Sequence, residues 1–430
     1  MQANSVAYIY PVTKPITAKV SVSGSKSFTN RALIIAALAN GVSVLHEVSD
    51  SNDSEVLIRA LQQLGIEIIR DNNTLQIKGN GGKFHPFRGE LTAEDSGTAM
   101  RFLVALCCIV PGEIVLKGSV RIHQRPVKEL TEALIQIGAK ISYLENDGFL
   151  PVQIHGGNIS GGNINIDASV SSQFISALLM IAPVLSKDTE IIMRGEKVSE
   201  PYIEMTISVM KQFGISVKKL SASYSINGSQ TYKANEYAIE GDASSASYLL
   251  AIAALSQSTV EITNVPGNSL QSDSRFADVL QQMGCSVNKT ESFITVTGNK
   301  ILNAIEINMR DMPDTAPTVA VIAAFAKGET IITGLKTLQF KESKRITALQ
   351  NELLKMGVEC KSGDNFIKIK GGNPKGAFIN TYNDHRMAMA FAMAGTRISG
   401  MSIEAPQVVK KSFPSFWSTL QLMGINVEIR

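Results

Sequence analysis

The stretch Tyr382–Gly395, YNDHRMAMAFAMAG, sets Asn383, Asp384, His385 and Arg386 in direct succession before nine residues without charge. A helix cap supplied by Asn383 or Asp384 accounts for part of this pattern. The rest has the composition of an anion site with acids beside it. Similar mixtures recur along the chain. Lys26 and Arg31 lie in SGSKSFTNRAL, Arg101 in SGTAMRFL, and Arg125 in IHQRPVKEL. Asp314 lies in MPDTAPT, Lys341, Glu342, Lys344 and Arg345 in FKESKR, and Lys410 and Lys411 in VVKKSFPSF. Taken singly, each basic residue reads as solvated surface. As a set they read otherwise, because Gly, Pro, Ser and aromatic residues hem several of them. An acid among cations stays ionised and serves as a base, while a lysine among cations is pushed toward neutrality. That combination moves protons on a multiply anionic substrate. Ser171, Ser172, Gln173, Ser199 and Tyr202 add neutral hydrogen-bonding groups suited to phosphate or hydroxyls. No Walker A, HExxH or GxSxG pattern is present, and SGSKS by itself is a weak phosphate-loop signal.

The elements that position these residues repeat. An amphipathic helix, an apolar residue, Gly and a short strand recur six times, with glycines at 65, 138, 214, 284, 357 and 424. A glycine there predicts a left-handed helix end that turns the chain into a strand. Out of phase with it, a small polar mouth followed by an apolar helix recurs at Ser27, Ser96, Ser171, Asp242, Asp314 and Asp384, spaced by 67–76 residues like the first phrase. YNDHR is the sixth such mouth. A helix apolar on every side is buried on every side. The pattern therefore predicts an α/β protein of two similar domains, each with three repeated units that hold one buried apolar helix, one amphipathic helix and several strands. A break near Glu240–Asp242 gives one domain over 22–240 and a second over 1–21 plus 241–430. The strand-like segment before the first unit is compatible with pairing to either half. Helix N-termini carry unpaired N–H groups and partial positive charge. If the mouths converge on the cleft between the domains, that cleft attracts anions.

Composition narrows the function classes. The chain has 430 residues, 41 basic and 38 acidic, with a net charge of +3. So balanced a charge argues against a general nucleic-acid or membrane-surface binder. Cys107, Cys108, Cys285 and Cys360 lie in apolar or strand-like segments without metal-ligand spacing, which predicts reduced, buried thiols and no zinc site. No secretory pattern opens the sequence and no apolar run approaches a membrane span, so a cytoplasmic location is expected.

The motifs SGSKSFTNRALIIAALA, SGTAMRFL, QRPV, SSQFISALLM, SEPYI, EGDASSASYLLAIAAL, MPDTAPT, KESKR, YNDHRMAMAF and KKSFPSFW resemble, in order and nearly end to end, the 5-enolpyruvylshikimate-3-phosphate synthase family. The resemblance implies the inside-out α/β barrel of enolpyruvyl transferases, built from βαβαββ-type units, with the active site in the interdomain cleft. It implies transfer of the enolpyruvyl group of phosphoenolpyruvate to the 5-hydroxyl of shikimate 3-phosphate, with release of phosphate. The route is addition and elimination through a tetrahedral intermediate, with no metal or organic cofactor, in a monomer. Lys26, Ser27, Arg31, Ser171, Ser172, Gln173, Ser199, Tyr202, Asp314 and Lys341 match the shikimate 3-phosphate set. Lys26, Gly97, Arg125, Gln173, Arg345, Arg386 and Lys411 match the phosphoenolpyruvate set. Asp314 matches the base for the 5-hydroxyl. Glu342 with Lys26 matches the groups that protonate the methylene carbon and later recover a proton, and His385 matches a support for Glu342.

The chain departs from the family pattern at Asp95-Ser96, where Asn-Ala is common, and at Phe102, where Pro is common. It also departs at Lys344, which replaces an acid, and at Thr337, which replaces an Asn. The bulk of Phe102 is expected to shift the helix carrying Gly97 and so to alter inhibition by glyphosate. Three rivals stay open at this point. The sister transferase that acts on UDP-N-acetylglucosamine shares the fold but carries a reactive cysteine on a mobile loop. A ring scaffold built from the same repeats would have no use for acids and bases at the helix mouths. An RNA-end-processing enzyme with related units is the third.

Overall fold

The structure is a computed structural model that describes residues 5–195 and 199–430. It separates into two compact units, Gly24–Ile239, and Glu240–Arg430 together with the N-terminal segment up to Ser23. The first unit contains α1 (Lys26–Leu38), α2 (Asn52–Gln63), α3 (Gly97–Ile109), α4 (Lys128–Gln136), α5 (Ser172–Ile181) and α6 (Glu200–Gln212). The second contains α7 (Ala243–Ser256), α8 (Phe276–Gln282), α9 (Ala316–Ala323), α10 (Arg345–Lys355), α11 (His385–Ala392) and α12 (Phe416–Leu422).

The odd-numbered helices are the apolar ones, and they are buried almost all round. In α3 every residue from Gly97 to Cys108 is buried, and in α7 every residue from Ser245 to Leu255. The even-numbered helices bury one face only, as their alternating polar sequence requires. Each unit thus has its own core, with sheets and amphipathic helices around three apolar helices.

The second repeat shows the strand plan. Phe87–Thr92, α3 and Gly112–Lys117 form a parallel βαβ pair, in register from Phe87 opposite Gly112 to Thr92 opposite Lys117. After α4 the hairpin of Lys140–Tyr143 and Val152–Gly156 returns antiparallel, with Val152–Gly156 beside Gly112–Lys117. The same order recurs in the six sheets, but in three of them one position is filled from elsewhere in the chain. Thr17–Val20 supplies the leading strand of the fourth repeat, beside Thr259–Ile262. Val6–Ile9 completes the sixth, between Met401–Glu404 and Val427–Ile429. In the first repeat the leading position is filled by Tyr232–Lys233 and Glu236–Ala238. Both strands of the N-terminal segment therefore belong to the unit that holds the C-terminus.

All six repeated glycines are left-handed, with φ between 75° and 103°. Each makes the same two hydrogen bonds. In α2 the Gly65 N–H donates to Gln62 O at 3.0 Å and the Ile66 N–H to Leu61 O at 3.0 Å. Gly138, Gly214, Gly284, Gly357 and Gly424 repeat the pair with their own helices. This satisfies the last carbonyls of each amphipathic helix and redirects the chain into a strand. At Gly357, with φ 75°, an added Cβ would meet nothing within 4 Å, so only backbone conformation is at stake. Gly357→Ala should lower unfolding free energy by about 1–2 kcal/mol. Denaturant titration checks this; an unchanged midpoint would mean that the glycine has no conformational role.

Candidate active site

In the unit Gly24–Ile239, three apolar helices open on serine caps. The Ser25 hydroxyl accepts from Phe28 N–H, Ser96 from Ala99 N–H, and Ser171 from Gln173 N–H. The first cap is therefore Ser25, which leaves Ser27 inside the first turn. Lys26 Nζ lies 3.0 Å from Asp53 Oδ2, a carboxylate at the start of α2. Asp53 was not among the expected site residues. It stands where each repeat's amphipathic helix opens, as Arg125 and Arg345 do, and that shared position was the available signal.

Arg31 is 1% exposed. Its Nε donates to Thr206 Oγ1 at 2.7 Å, Nη1 to Ser27 O at 2.8 Å, and Nη2 to Tyr202 O at 3.0 Å and Ser176 Oγ at 3.3 Å. These partners are neutral, and burial lowers its pKa to about 10. The guanidinium thus ties α1 to α6 and α5. The Phe102 ring lies 5.6 Å from Arg31 Cζ and is buried where α1 and α3 pack.

Arg101 Nη1 donates to Gln173 Oε1 at 2.7 Å, and Gln173 Nε2 donates to Thr98 Oγ1 at 3.1 Å. The mouths of α3 and α5 are thereby joined through one amide. Arg125, 6% exposed, packs its guanidinium on Gly97; a Cβ at Gly97 would lie 2.3 Å from Nη1 and 2.4 Å from Cζ. Asp95 accepts from the Ser119 hydroxyl. Ser199 begins α6 in the left-handed region, φ 54°, with Tyr202 in the first turn.

The other unit gathers more charge. Arg345 is 1% exposed and meets three carboxylates. Nη1 lies 3.1 Å from Asp314 Oδ1, Nη2 is 2.6 Å from Glu342 Oε2, and Nε is 2.8 Å from Asp384 Oδ2. Burial alone would depress its pKa, but Asp384, Glu342 and Asp314 outweigh burial and hold the guanidinium above its ordinary value. Asp314 also meets Lys341 Nζ at 3.2 Å and Arg386 Nη2 at 2.9 Å. Arg386 Nη1 donates to Tyr248 Oη at 3.2 Å, and burial pushes that phenol up to about 12. Lys411 Nζ is 3.8 Å from Glu342 Oε1. His385, 1% exposed, has Nδ1 3.8 Å from Asp384 Oδ1. Lys344 points outward, and the Thr337 hydroxyl is buried without a hydrogen-bond partner among the described residues.

The opening stretch has a split role. Asp384 caps α11, its Oδ1 accepting from Arg386 N–H at 3.0 Å, and the same carboxylate fixes Arg345 and accepts from Ser343 Oγ at 2.9 Å. The fifth mouth differs from the other five. Asp314 lies in a 3-10 turn, Pro313–Thr315, and its carboxylate faces three cations instead of capping α9. Sequence reasoning missed Tyr248, within α7, and Asp273, in the turn before α8; the first meets Arg386 and the second lies within electrostatic reach of Asp314.

Asp273 is 3% exposed and accepts from the Ser244 hydroxyl. Burial first, then repulsion from Asp314, pushes its pKa from 3.8 up to about 6. A raised carboxyl contributes stability below the unfolded-state pKa and loses it as pH rises through the folded value. Asp273→Asn should therefore gain stability over the parent between pH ~4 and ~6 and keep the gain above that. Melting curves across that range check this, and a pH-independent difference would contradict it.

Among the described residues, no helix is long and apolar enough to cross a membrane, and no group of three or more His, Cys, Asp and Glu could hold a metal ion. Comparison with known proteins follows the same lines. The 3-phosphoshikimate 1-carboxyvinyltransferase of Escherichia coli O6:H1 is 42% identical over 418 residues, 96% of this chain and 97% of the relative. That of Escherichia coli strain SMS-3-5 is 41% identical over the same span. The solved EPSP synthase of Acinetobacter baumannii superposes with a TM-score of 0.84 at 25% identity, covering 99% of this chain and 100% of the other. Residues 11–420 match the family model described as EPSP synthase (3-phosphoshikimate 1-carboxyvinyltransferase), and the chain belongs to that family.

Proposed function

We propose that the side chains described above serve the reaction of this family on one pair of substrates. The enolpyruvyl group of phosphoenolpyruvate passes to the 5-hydroxyl of shikimate 3-phosphate and inorganic phosphate leaves, a step of the shikimate pathway to aromatic amino acids. The observation that carries the assignment of roles is the Asp314 carboxylate held by Arg345, Arg386 and Lys341 within 3.2 Å. Three cations keep an acid ionised and ready to accept a proton.

In the addition step Asp314 takes the proton of the 5-hydroxyl while that oxygen bonds to C2 of phosphoenolpyruvate. The C2–C3 double bond gives its electron pair to a proton delivered to C3 by Glu342 or Lys26. The product of this step is a tetrahedral phosphate adduct. In the elimination step the C–O bond to phosphate breaks, the leaving oxygen takes the electron pair, and one methyl proton returns to the protein to restore the double bond. Arg125, Arg345, Arg386 and Lys411 supply positive charge for phosphoenolpyruvate, and Lys26, Gly97 and Gln173 belong to the same binding set. Ser27, Ser171, Ser172, Ser199, Tyr202, Lys26 and Lys341 hold shikimate 3-phosphate. Arg31 serves the same substrate by holding Ser27 and Tyr202 through their carbonyls. His385 supports Glu342. Action as a monomer in the cytoplasm completes the reading; light scattering of the purified chain checks the first part.

Asp314→Asn should lower kcat by about 10²–10⁴-fold with little change in substrate affinity. A parental kcat would remove Asp314 from the mechanism. Arg386→Ala should raise KM for phosphoenolpyruvate by roughly 10- to 100-fold; if only shikimate 3-phosphate binding weakens, the two donor sets are interchanged. Gly97→Ala forces the Arg125 guanidinium aside and should raise the same KM while sparing the melting temperature. The reaction itself is tested by phosphate release from phosphoenolpyruvate, with shikimate 3-phosphate in one vessel and UDP-N-acetylglucosamine in another. Release only in the first supports the reading. Release in the second, or in neither from folded protein, overturns it.

A further inference from the structure

Arg386 follows a turn that most side chains avoid. Tyr382 and Asn383 both lie in the left-handed region, φ 55° and 54°, and they are the one consecutive pair of non-glycine residues there among the described residues. Asn tolerates that region, but Tyr has no local reason to enter it. Such a conformation persists only where surrounding contacts over-determine it.

The contacts come from a buried carboxylate that the chemistry above does not use. Glu352 on α10 has a side chain with 0% exposure. Its Oε1 accepts from Tyr382 Oη at 2.7 Å; its Oε2 accepts from Asn380 N–H at 3.1 Å and from Lys355 Nζ at 2.7 Å. Glu404 holds the same segment from the neighbouring strand, accepting from Asn380 Nδ2 at 3.1 Å and Thr381 N–H at 3.4 Å. Glu352 lies seven residues after Arg345, two turns along the same face of one helix. That helix therefore grips the approach to α11 at two points, Arg345 on Asp384 and Glu352 on Asn380 and Tyr382. Between them the Tyr382–Asn383 backbone has no freedom to relax, and the residue that follows Asp384 and His385 is Arg386.

We infer that Glu352 and the Tyr382 hydroxyl are positioning residues: they hold the left-handed Tyr382–Asn383 turn and thereby aim the Arg386 guanidinium at the anion it binds. This rests on the reading of Arg386 as a phosphoenolpyruvate ligand. It predicts a selective loss, because the turn leads to Arg386 and Asp384 while the groups assigned to shikimate 3-phosphate lie mainly on other elements.

Tyr382→Phe should raise KM for phosphoenolpyruvate about tenfold, the effect of one lost hydrogen bond to a charged group. KM for shikimate 3-phosphate should stay within about twofold and the melting temperature close to the parent's. Glu352→Gln, which removes the charge and one acceptor, should act in the same direction. Adding Asn383→Gly to Tyr382→Phe relieves the backbone and should restore part of the lost affinity, which a merely structural role would not do. A parental KM for phosphoenolpyruvate in both single variants overturns the inference. So does an equal loss for both substrates that tracks a fall in melting temperature. Arg386→Ala is measured alongside: if its KM is also parental, the reading of Arg386 fails, whereas a raised value there with a parental Tyr382→Phe overturns the positioning role alone.

Discussion

A buried guanidinium must find compensation for the water it has lost, and each unit of this protein holds one that is only 1% exposed. Arg345 meets three carboxylates; Arg31 meets hydroxyls, backbone carbonyls and the Phe102 ring. The difference in partners decides the difference in behaviour. Acids hold Arg345 above its ordinary pKa, while burial among neutral dipoles lowers that of Arg31. Removing one partner of such a buried charge is strongly destabilising. That explains why the acids around Arg345 lie on three separate elements, the turn before α9, the loop before α10 and the cap of α11. They order those elements as well as neutralise the charge.

The same cluster is an economical piece of chemistry. Asp314 is free of capping duty because its helix starts one turn later, so its oxygens face Lys341, Arg345 and Arg386. Asp384 takes the opposite course, capping α11 and fixing Arg345 with one carboxylate. Two aspartates at corresponding points of successive repeats thus differ: Asp314 faces cations without capping its helix, and Asp384 caps its helix while fixing a guanidinium. A similar division separates Arg125, packed against Gly97 with no room for a Cβ between them, from Arg101, which spends its hydrogen bonds joining α3 to α5 through Gln173.

The repeat explains how so many polar groups reach the helix mouths. In four of the six copies the residue opening the amphipathic helix stands near the mouth of the apolar one. Asp53 meets Lys26, Arg125 meets Gly97, Asp273 meets Ser244 and Arg345 meets Asp314. One backbone plan serves six times, and substitution at a single pair of positions changes each mouth from basic to acidic to neutral.

The sequence by itself determined the six repeats, the apolar and amphipathic helices, the six left-handed glycines and the family. All of these are local: they follow from hydrophobic period, from caps and from a C-terminal glycine, which neighbouring residues suffice to specify. The motifs also picked out Lys26, Asp314, Glu342, Arg345 and Arg386 as groups for proton transfer and anion binding. What only the tertiary structure decided was partnership. That the strands Val6–Ile9 and Thr17–Val20 complete sheets of the C-terminal unit depends on which sheet lacks a strand, not on their own residues. That Tyr248 faces Arg386 and Glu352 holds Tyr382 depends on long-range packing between segments whose sequences carry no mark of it, and that Asp53 faces Lys26 is hinted at only by its repeat position. Local patterns fix elements; charges buried far apart in sequence choose one another only when the cores that exclude water have formed.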